Sequence, residues 1–309
     1  MNQRKNICHL YKYQKVKNMI NLSTIKYLLK KIDINNRNEF FLFLLINLFY
    51  FLLILLITLL FVDFPIKMIS IIEVLLLLFL HNYYIIITKK KDSIAKQKQI
   101  NDYKQIESYI SLLSVLNISM PLPIMREAAV SPDFANILVS IMFEKKPRII
   151  VELGSGVSTL IIGYCIKKLS CGHVWSLDHN KKYSDITIKN LKAHGLEKFS
   201  TVIVAPMKSI LVDNETYNWY DTKSLSTIKD KIDMLIIDGP PRRYAENVRY
   251  PSLPLLYDYL SNDAIIILDD ANRKGEKEIV SKWLKQYSHL SYECLNTEKG
   301  TVVISLSSR

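Results

Sequence analysis

Cysteine is scarce in this chain of 309 residues, with four in all, Cys8, Cys165, Cys171 and Cys294. No two of them form a Cys-x-x-Cys pair, and no histidine joins them at metal-ligand spacing. That excludes a disulfide framework and a structural zinc site, and suits a reducing compartment. Charge is missing from two places. The run Phe40–Val62, FFLFLLINLFYFLLILLITLLFV, holds no Asp, Glu, Lys or Arg. The formal net charge of +12 is also nearly absent from the larger part of the chain. Residues 1–104 hold 16 basic and six acidic side chains, and residues 105–309 hold 25 basic against 23 acidic. A basic excess that flanks apolar runs points to membrane topology, and a nearly neutral remainder argues against nucleic acid as a partner.

What is present in the first third is apolar length. Only Asn47 and Thr58 interrupt Phe40–Val62, which is long enough to cross the hydrocarbon core of a bilayer. A second run, Met68–Ile87, carries Glu73, His81 and Asn82. The link between them, Asp-Phe-Pro-Ile-Lys, is short and contains Pro65, so the sequence predicts a transmembrane helical hairpin over 40–62 and 68–87. Nine basic residues precede the first run, from Arg4 to Arg37, and Lys89, Lys90, Lys91, Lys96 and Lys98 follow the second, while the link has only Lys67 beside Asp63. The positive-inside rule then places the basic segment 1–39, both termini and the following domain in the cytoplasm, as a multi-pass protein of the inner (cytoplasmic) membrane. Residues 89–118 read as a helical linker. Tyr103, Ile106, Ile110 and Leu113 fall on one stripe of it and offer a homodimer seam. Pro121 and Pro123 end it, and the boundary of a domain over 119–309 is set there.

From Ser131-Pro132-Asp133, a helix start with proline in the first turn, strand-like and helical stretches alternate. Five strand-like runs are RIIVEL (148–153), HVWSLD (173–178), STVIVA (200–205), DMLIID (233–238) and AIIILD (264–269). Their β-branched, two-sided apolar character fits a parallel sheet covered by helices on both faces. SYECLN (291–296) and TVVISL (301–306), joined by Thr-Glu-Lys-Gly, read as an antiparallel hairpin at the end.

Two signals at the strand ends carry chemistry. Glu152-Leu153-Gly154-Ser155-Gly156-Val157-Ser158 closes the first strand, where glycines permit a tight turn and a ligand can approach the backbone at a helix N-terminus. Asp178 ends the next strand, placed to take both hydroxyls of a ribose. Together they point to an adenosine-containing ligand.

VELGSGVSTL, SLDHN, HGL, WYD, DGPP, RYPSLPLL and LDDANR, spread over 119–309, resemble a family of bacterial class I S-adenosylmethionine (SAM)-dependent methyltransferases. The resemblance implies a Rossmann-like fold, a mostly parallel seven-stranded sheet with an antiparallel last strand, and SAM as methyl donor. Glu152, Gly154, Ser155 and Gly156 match the SAM loop, Asp178 the ribose acid, and His179 the position beside the adenine. An acid at 152 suits a ligand bearing an ammonium and a sulfonium. Ser158 stands where a third glycine often occurs, and Ala205-Pro206 replaces an acid that frequently contacts the adenine amino group.

The reaction side falls to Asp238 and to Asp269-Asp270 at the next two strand ends. Catechol-type O-methyltransferases resemble this arrangement and hold Mg²⁺ there, so Asp238, Asp269 and Asp270 form a candidate Mg²⁺ site. Without a metal, Asp238 or Asp269 is the candidate general base, ahead of His179 and His194, and His194-Gly195 reads as a helix end. Arg242, Arg243 and Arg249 read as exposed loop charge, with contact to an anionic substrate as the alternative. Tyr217, Trp219 and Tyr220 fall in an insertion that reads as part of a substrate lid. Two other functions stay open: a membrane scaffold or sensor that binds SAM without transferring methyl, and a nicotinamide-dependent oxidoreductase. Thr159, where the dinucleotide fingerprint wants a small residue, weighs against the latter. The methyl acceptor is not legible.

Overall fold

The computed structural model describes residues 64–306 apart from 119, 222, 224, 226 and 227, together with 48, 49, 51, 52, 55 and 56. The chain divides into two units, Met1–Ala95 and Lys96–Arg309.

In the first unit the main described feature is the beginning of helix α1, Phe64–Leu116. Pro65 lies in its first turn, where its missing N–H leaves no helical bond unmade. The expected hairpin link therefore opens a helix at Phe64 instead of forming a turn over its whole length. The first apolar run lies outside the described residues, except for the six named above, which are helical. Among the described residues one helix is long and apolar enough to cross a membrane, over Ile71–Leu116. Ile72, Leu76, Phe79 and Leu80 on it are exposed. The second apolar run and the linker, expected as two elements, are one helix, because nothing after Pro65 in this stretch is a proline or glycine.

In the second unit, the end of α1 buries Gln105, Ser108, Leu112 and Leu116 and leaves Ile100, Tyr103, Ile106 and Ile110 exposed. Asn117, with φ 51°, ends it in the left-handed conformation, ahead of the two prolines. The helices and strands that follow are α2 (Pro132–Lys145), β1 (Ile149–Leu153), α3 (Val157–Leu169), β2 (His173–Asp178), α4 (Lys181–Ala193) and β3 (Ser200–Val204). After these come β4 (Met207–Val212), β5 (Glu215–Tyr220), β6 (Ile232–Ile237), the short α5 (Ser252–Leu256), β7 (Leu260–Leu268), α6 (Lys274–Gln286), β8 (Leu290–Leu295) and β9 (Thr301–Leu306).

Seven strands form one sheet in the order β3-β2-β1-β6-β7-β9-β8. All neighbours pair in parallel except at β9, which runs antiparallel to both β7 and β8. Alternation along the strands fills two cores. Val151, Leu153, Leu235, Ile237, Ile266 and Leu268 point to the side of α5 and α6, where Trp283 is fully buried. Ile150, Met234, Ile236, Ile265 and Ile267 point to the side of α2, α3 and the end of α1. The order reverses between β1 and β6, and at that switch the carboxyl ends of the strands leave a crevice.

β4 and β5 form a separate two-stranded antiparallel sheet that the sequence reading did not anticipate. Its two-residue turn, Asp213-Asn214, has φ 50° and 63°, the signature of a turn whose twist matches paired strands. The hairpin carries Tyr217, Trp219 and Tyr220 into the core, so these aromatics are packing residues and not an exposed lid.

Candidate active site

β1 runs directly into the crevice. Gly154 has φ 108°, and a Cβ on it would lie 3.3 Å from the Asp238 carbonyl carbon and 3.3 Å from the Gly239 nitrogen. Glycine here lets the ends of β1 and β6 close together. Its N–H donates to the Leu177 carbonyl at 2.8 Å, which ties the loop to β2. Gly156, by contrast, is extended, and a Cβ there would meet only open space. Its N–H donates to Thr159 Oγ1 at 3.0 Å and so fixes the start of α3.

Asp178 stands across the loop at the end of β2, nearly buried. Its Oδ2 accepts from Ser155 Oγ at 2.9 Å and from Ser155 N–H at 3.3 Å, and its Oδ1 accepts from Asn180 N–H at 2.8 Å. The carboxylate is thus aimed by the loop it faces. His179 follows with its ring edge-on to Tyr244 at 5.2 Å between centroids, and with Arg243 Nη2 at 3.5 Å from its Nε2. Burial, with Arg243 adding to it, holds His179 below the usual imidazole range despite Asp178.

Glu152 lies beneath the loop, fully buried. Its Oε2 accepts from Thr159 Oγ1 at 2.6 Å, and its Oε1 has no hydrogen-bond partner. Burial pushes its carboxyl up to about 7, against the nearby hydroxyls of Ser158, Ser176 and Thr159.

On the other side of the crevice, ligand atoms of Asp238, Asp269 and Asp270 lie within 4.8 Å of one another. Burial raises Asp238 above the ordinary carboxylate value against the pull of Arg249, and raises Asp269 as well, with Asp238 and Asp270 adding to it. Arg249 sits in their midst with its side chain 3 % exposed. Its Nη2 donates to the Asp238 carbonyl at 2.7 Å, to Asp238 Oδ1 at 3.3 Å and to Asp270 Oδ2 at 2.9 Å. Its Nη1 donates to the Asp269 carbonyl at 2.9 Å and its Nε to the Pro240 carbonyl at 3.4 Å. Burial alone would lower its pKa, but Asp238, Asp270 and Glu276 more than offset that. Arg273 also reaches Asp270 Oδ2, at 2.6 Å. Reading Arg249 as exposed loop charge is therefore corrected. Arg242, whose side chain is 52 % exposed and paired with Glu246, fits that description, and Arg249 is the buried counter-ion of the strand ends.

These donors fit a hard divalent cation. Both oxygens of Asp269 and Oδ1 of Asp270 are buried without a partner, which is costly for a carboxylate. Four carboxylates, Asp238, Asp269, Asp270 and Glu276, meet two guanidiniums, Arg249 and Arg273, with Lys299 acting from a greater distance, so full ionisation leaves the cluster net negative. An all-oxygen set with that deficit suits Mg²⁺.

A cavity of about 780 Å³ spans both halves. Gly154, Ser155, Gly156, Asp178, His179, Asp238 and Asp270 line it, with Tyr220, Arg243, Arg249 and Lys299. Glu152 and Asp269 do not reach its wall and act on it only from behind. His194 is elsewhere. It caps α4, takes a 2.7 Å hydrogen bond with the Tyr164 hydroxyl, and is followed by Gly195 with φ 63°, a structural helix end. Tyr220 was placed by sequence in a lid, yet it packs against the strand ends, and its hydroxyl leaves no room for a Cβ on Gly239.

A seven-stranded sheet of this order with only β9 reversed is the class I SAM-dependent methyltransferase fold, in its Rossmann-like form. Residues 151–271 match the family described as a methyltransferase domain. The SAH-bound methyltransferase PaMTH1 of Podospora anserina is similar at 13 % identity and a TM-score of 0.51, over 69 % of this chain and 96 % of that one. An O-methyltransferase from Bacillus cereus in complex with SAH is similar at 15 % identity and a TM-score of 0.49, over 68 % of this chain and 97 % of that one.

Proposed function

We propose that the chain is a membrane-anchored methyltransferase that moves the methyl group of SAM to an oxygen nucleophile. The observation that carries this is the pairing of the Gly154–Gly156 loop with Asp178 on the fold just described. A nucleoside laid over the loop meets a carboxylate already aimed by Ser155, and Asp178 takes its ribose hydroxyls. Gly154, Ser155 and Gly156 hold the methionyl and sugar portion, His179 flanks the adenine, and Glu152 supplies negative charge beneath the ammonium and sulfonium.

Methyl transfer needs the nucleophile, methyl carbon and sulfur in line, which the crevice supplies by position. Without a metal, Asp238, which lines the cavity, takes the acceptor's proton. Burial raises that carboxyl above its ordinary value against the pull of Arg249, which makes it a better proton acceptor than an exposed carboxylate. Asp269 is the second candidate base, and its burial behind the wall favours a supporting role. Asp238, Asp269 and Asp270 would hold Mg²⁺, which when bound orients the acceptor hydroxyl and lowers its pKa.

Anchoring rests on the exposed apolar half of α1 and on the basic residues on either side of the two apolar runs. Runs 40–62 and 68–87 span the inner membrane as a hairpin, residues 1–39 and the domain 119–309 face the cytoplasm, and 89–118 links them. The exposed stripe of Tyr103, Ile106 and Ile110 supports a homodimer through the linker.

The test is calorimetry on the full chain in detergent, titrated with SAM, S-adenosylhomocysteine and NAD. Binding of the first two and not of NAD is the expected result. Binding of NAD alone would return the nicotinamide reading.

A further inference from the structure

The acid cluster holds a cation of its own. Arg249 is bound by three backbone carbonyls, from Asp238, Pro240 and Asp269, so its guanidinium is fixed by the ends of β6 and β7 independently of the carboxylates. From that position it takes one oxygen of Asp238 and one of Asp270. It does not touch the Asp269 carboxylate, whose two oxygens remain unpartnered beside Asp270 Oδ1. The cluster is therefore split into a half that guanidiniums already contact, Asp238 Oδ1 and Asp270 Oδ2, and a half, both Asp269 oxygens with Asp270 Oδ1, that no hydrogen-bond donor among the described residues meets and that Lys299 reaches only through its field.

We propose that Arg249 is a positioning residue that serves as a permanent internal counter-ion. It keeps the strand ends folded without a metal and limits the site to weak, exchangeable binding of one divalent cation by the free half. This rests on the Mg²⁺ reading above and extends it to a residue outside the ligand set. A buried group of carboxylates with no resident cation would be stable only with metal bound, as a structural site is. With Arg249 in place the crevice keeps its shape whether or not a cation lies between Asp270, which lines the cavity, and Asp269 behind it. The same positive charge, held close to the incoming ion, lowers the affinity for that ion.

The experiment compares wild type, Arg249→Met and Arg249→Lys as full chains in detergent, by thermal melting with EDTA or with about 10 mM Mg²⁺, and by Mn²⁺ titration followed by electron paramagnetic resonance. Wild type should melt at nearly the same temperature in both buffers and bind one Mn²⁺ weakly. Arg249→Met should lose roughly 10 °C in EDTA and regain most of it with Mg²⁺, and should bind Mn²⁺ at least about tenfold more tightly. Arg249→Lys keeps the charge and should stay close to wild type in its response to metal. An Arg249→Met protein whose melting ignores Mg²⁺ and whose Mn²⁺ affinity is unchanged overturns the inference. So does an Arg249→Lys protein that becomes as metal-dependent as the methionine variant. If Arg249→Met does not fold in EDTA, its recovery when expressed and purified in Mg²⁺ decides the matter, and failure in both buffers counts against the inference. Wild type that binds no Mn²⁺, beside Arg249→Met that does, would sink the Mg²⁺ reading and leave Arg249 as the cation that stands in its place.

Discussion

Replacing Asp178 with alanine tests the donor site most directly. In the free protein the carboxylate accepts Ser155 Oγ at 2.9 Å, Ser155 N–H at 3.3 Å and Asn180 N–H at 2.8 Å, so alanine strips three local contacts as well as the ribose acid. Ser155 lines the open crevice and Asn180 is only half-buried, so water can replace the lost oxygen. The stability loss should therefore be about 1 kcal/mol, or a fall of roughly 2–4 °C in melting temperature. The binding loss should be larger. Two ribose hydroxyls on an ionised acceptor at about 1.5 kcal/mol each amount to about 3 kcal/mol, roughly a hundredfold in the Kd for S-adenosylhomocysteine. Asp178→Asn keeps the shape and one acceptor oxygen and should lose about tenfold. Calorimetry on folded full-length chains reads both. Affinity of the alanine variant within twofold of wild type, with the fold intact, would refute the ribose assignment and the nucleoside pose with it.

Gly154→Ala forces an L side chain into φ 108° and against the Asp238 and Gly239 backbone, both 3.3 Å away. It should cost about 1–3 kcal/mol in thermal melts and abolish S-adenosylhomocysteine binding, and a variant with wild-type stability would show that the loop relaxes freely. Burial holds His194 below its ordinary value of 6.5. The unfolded chain then binds the proton first, so this residue's contribution to stability is present above about 6.5 and is lost as pH falls from there to the lowered folded value. His194→Gln should flatten that part of the pH–stability curve, cost about 1 kcal/mol through the Tyr164 hydrogen bond, and leave S-adenosylhomocysteine affinity unchanged. A change in that affinity would return His194 to the site.

β1, β2, β3, β6 and β7 were legible because their apolar runs lead into Gly, Asp or Pro, so period and punctuation agree. The loop and its acid were legible for a related reason: a ligand site at a sheet's switch point recruits residues at fixed offsets from strand ends. β4–β5 escaped because Lys208, Ser209, Glu215 and Asn218 dilute the apolar alternation, and the available signal was the Asp213-Asn214 turn. Arg249 was misread for a topological reason. In sequence it resembles Arg242 and Arg243 as one more loop cation, and only the pairing of β6 with β7 brings it between Asp238 and Asp270. α1 was divided where its composition changes from apolar to basic near Lys89–Lys91, although nothing there breaks a helix, and its start was missed because Pro65 was read as part of a turn, when proline also suits a helix's first turn.

The position of β9 bears on the order in which the protein can be made. It is the last described strand along the chain, yet it lies inside the sheet, between β7 and β8. Gly300 just before it packs against Asn272, beside the Asp269-Asp270 strand end. On a ribosome adding roughly 5–20 residues per second, α1 is complete about 10–40 seconds before β9 exists. In the last part of that interval, once β7 has been made, β7 keeps an open edge and the acid-bearing end lacks its neighbour. A nascent chain stalled before Thr301 should therefore carry a finished α1 beside an unfinished crevice, and donor binding should appear only when the last strand slides into its slot.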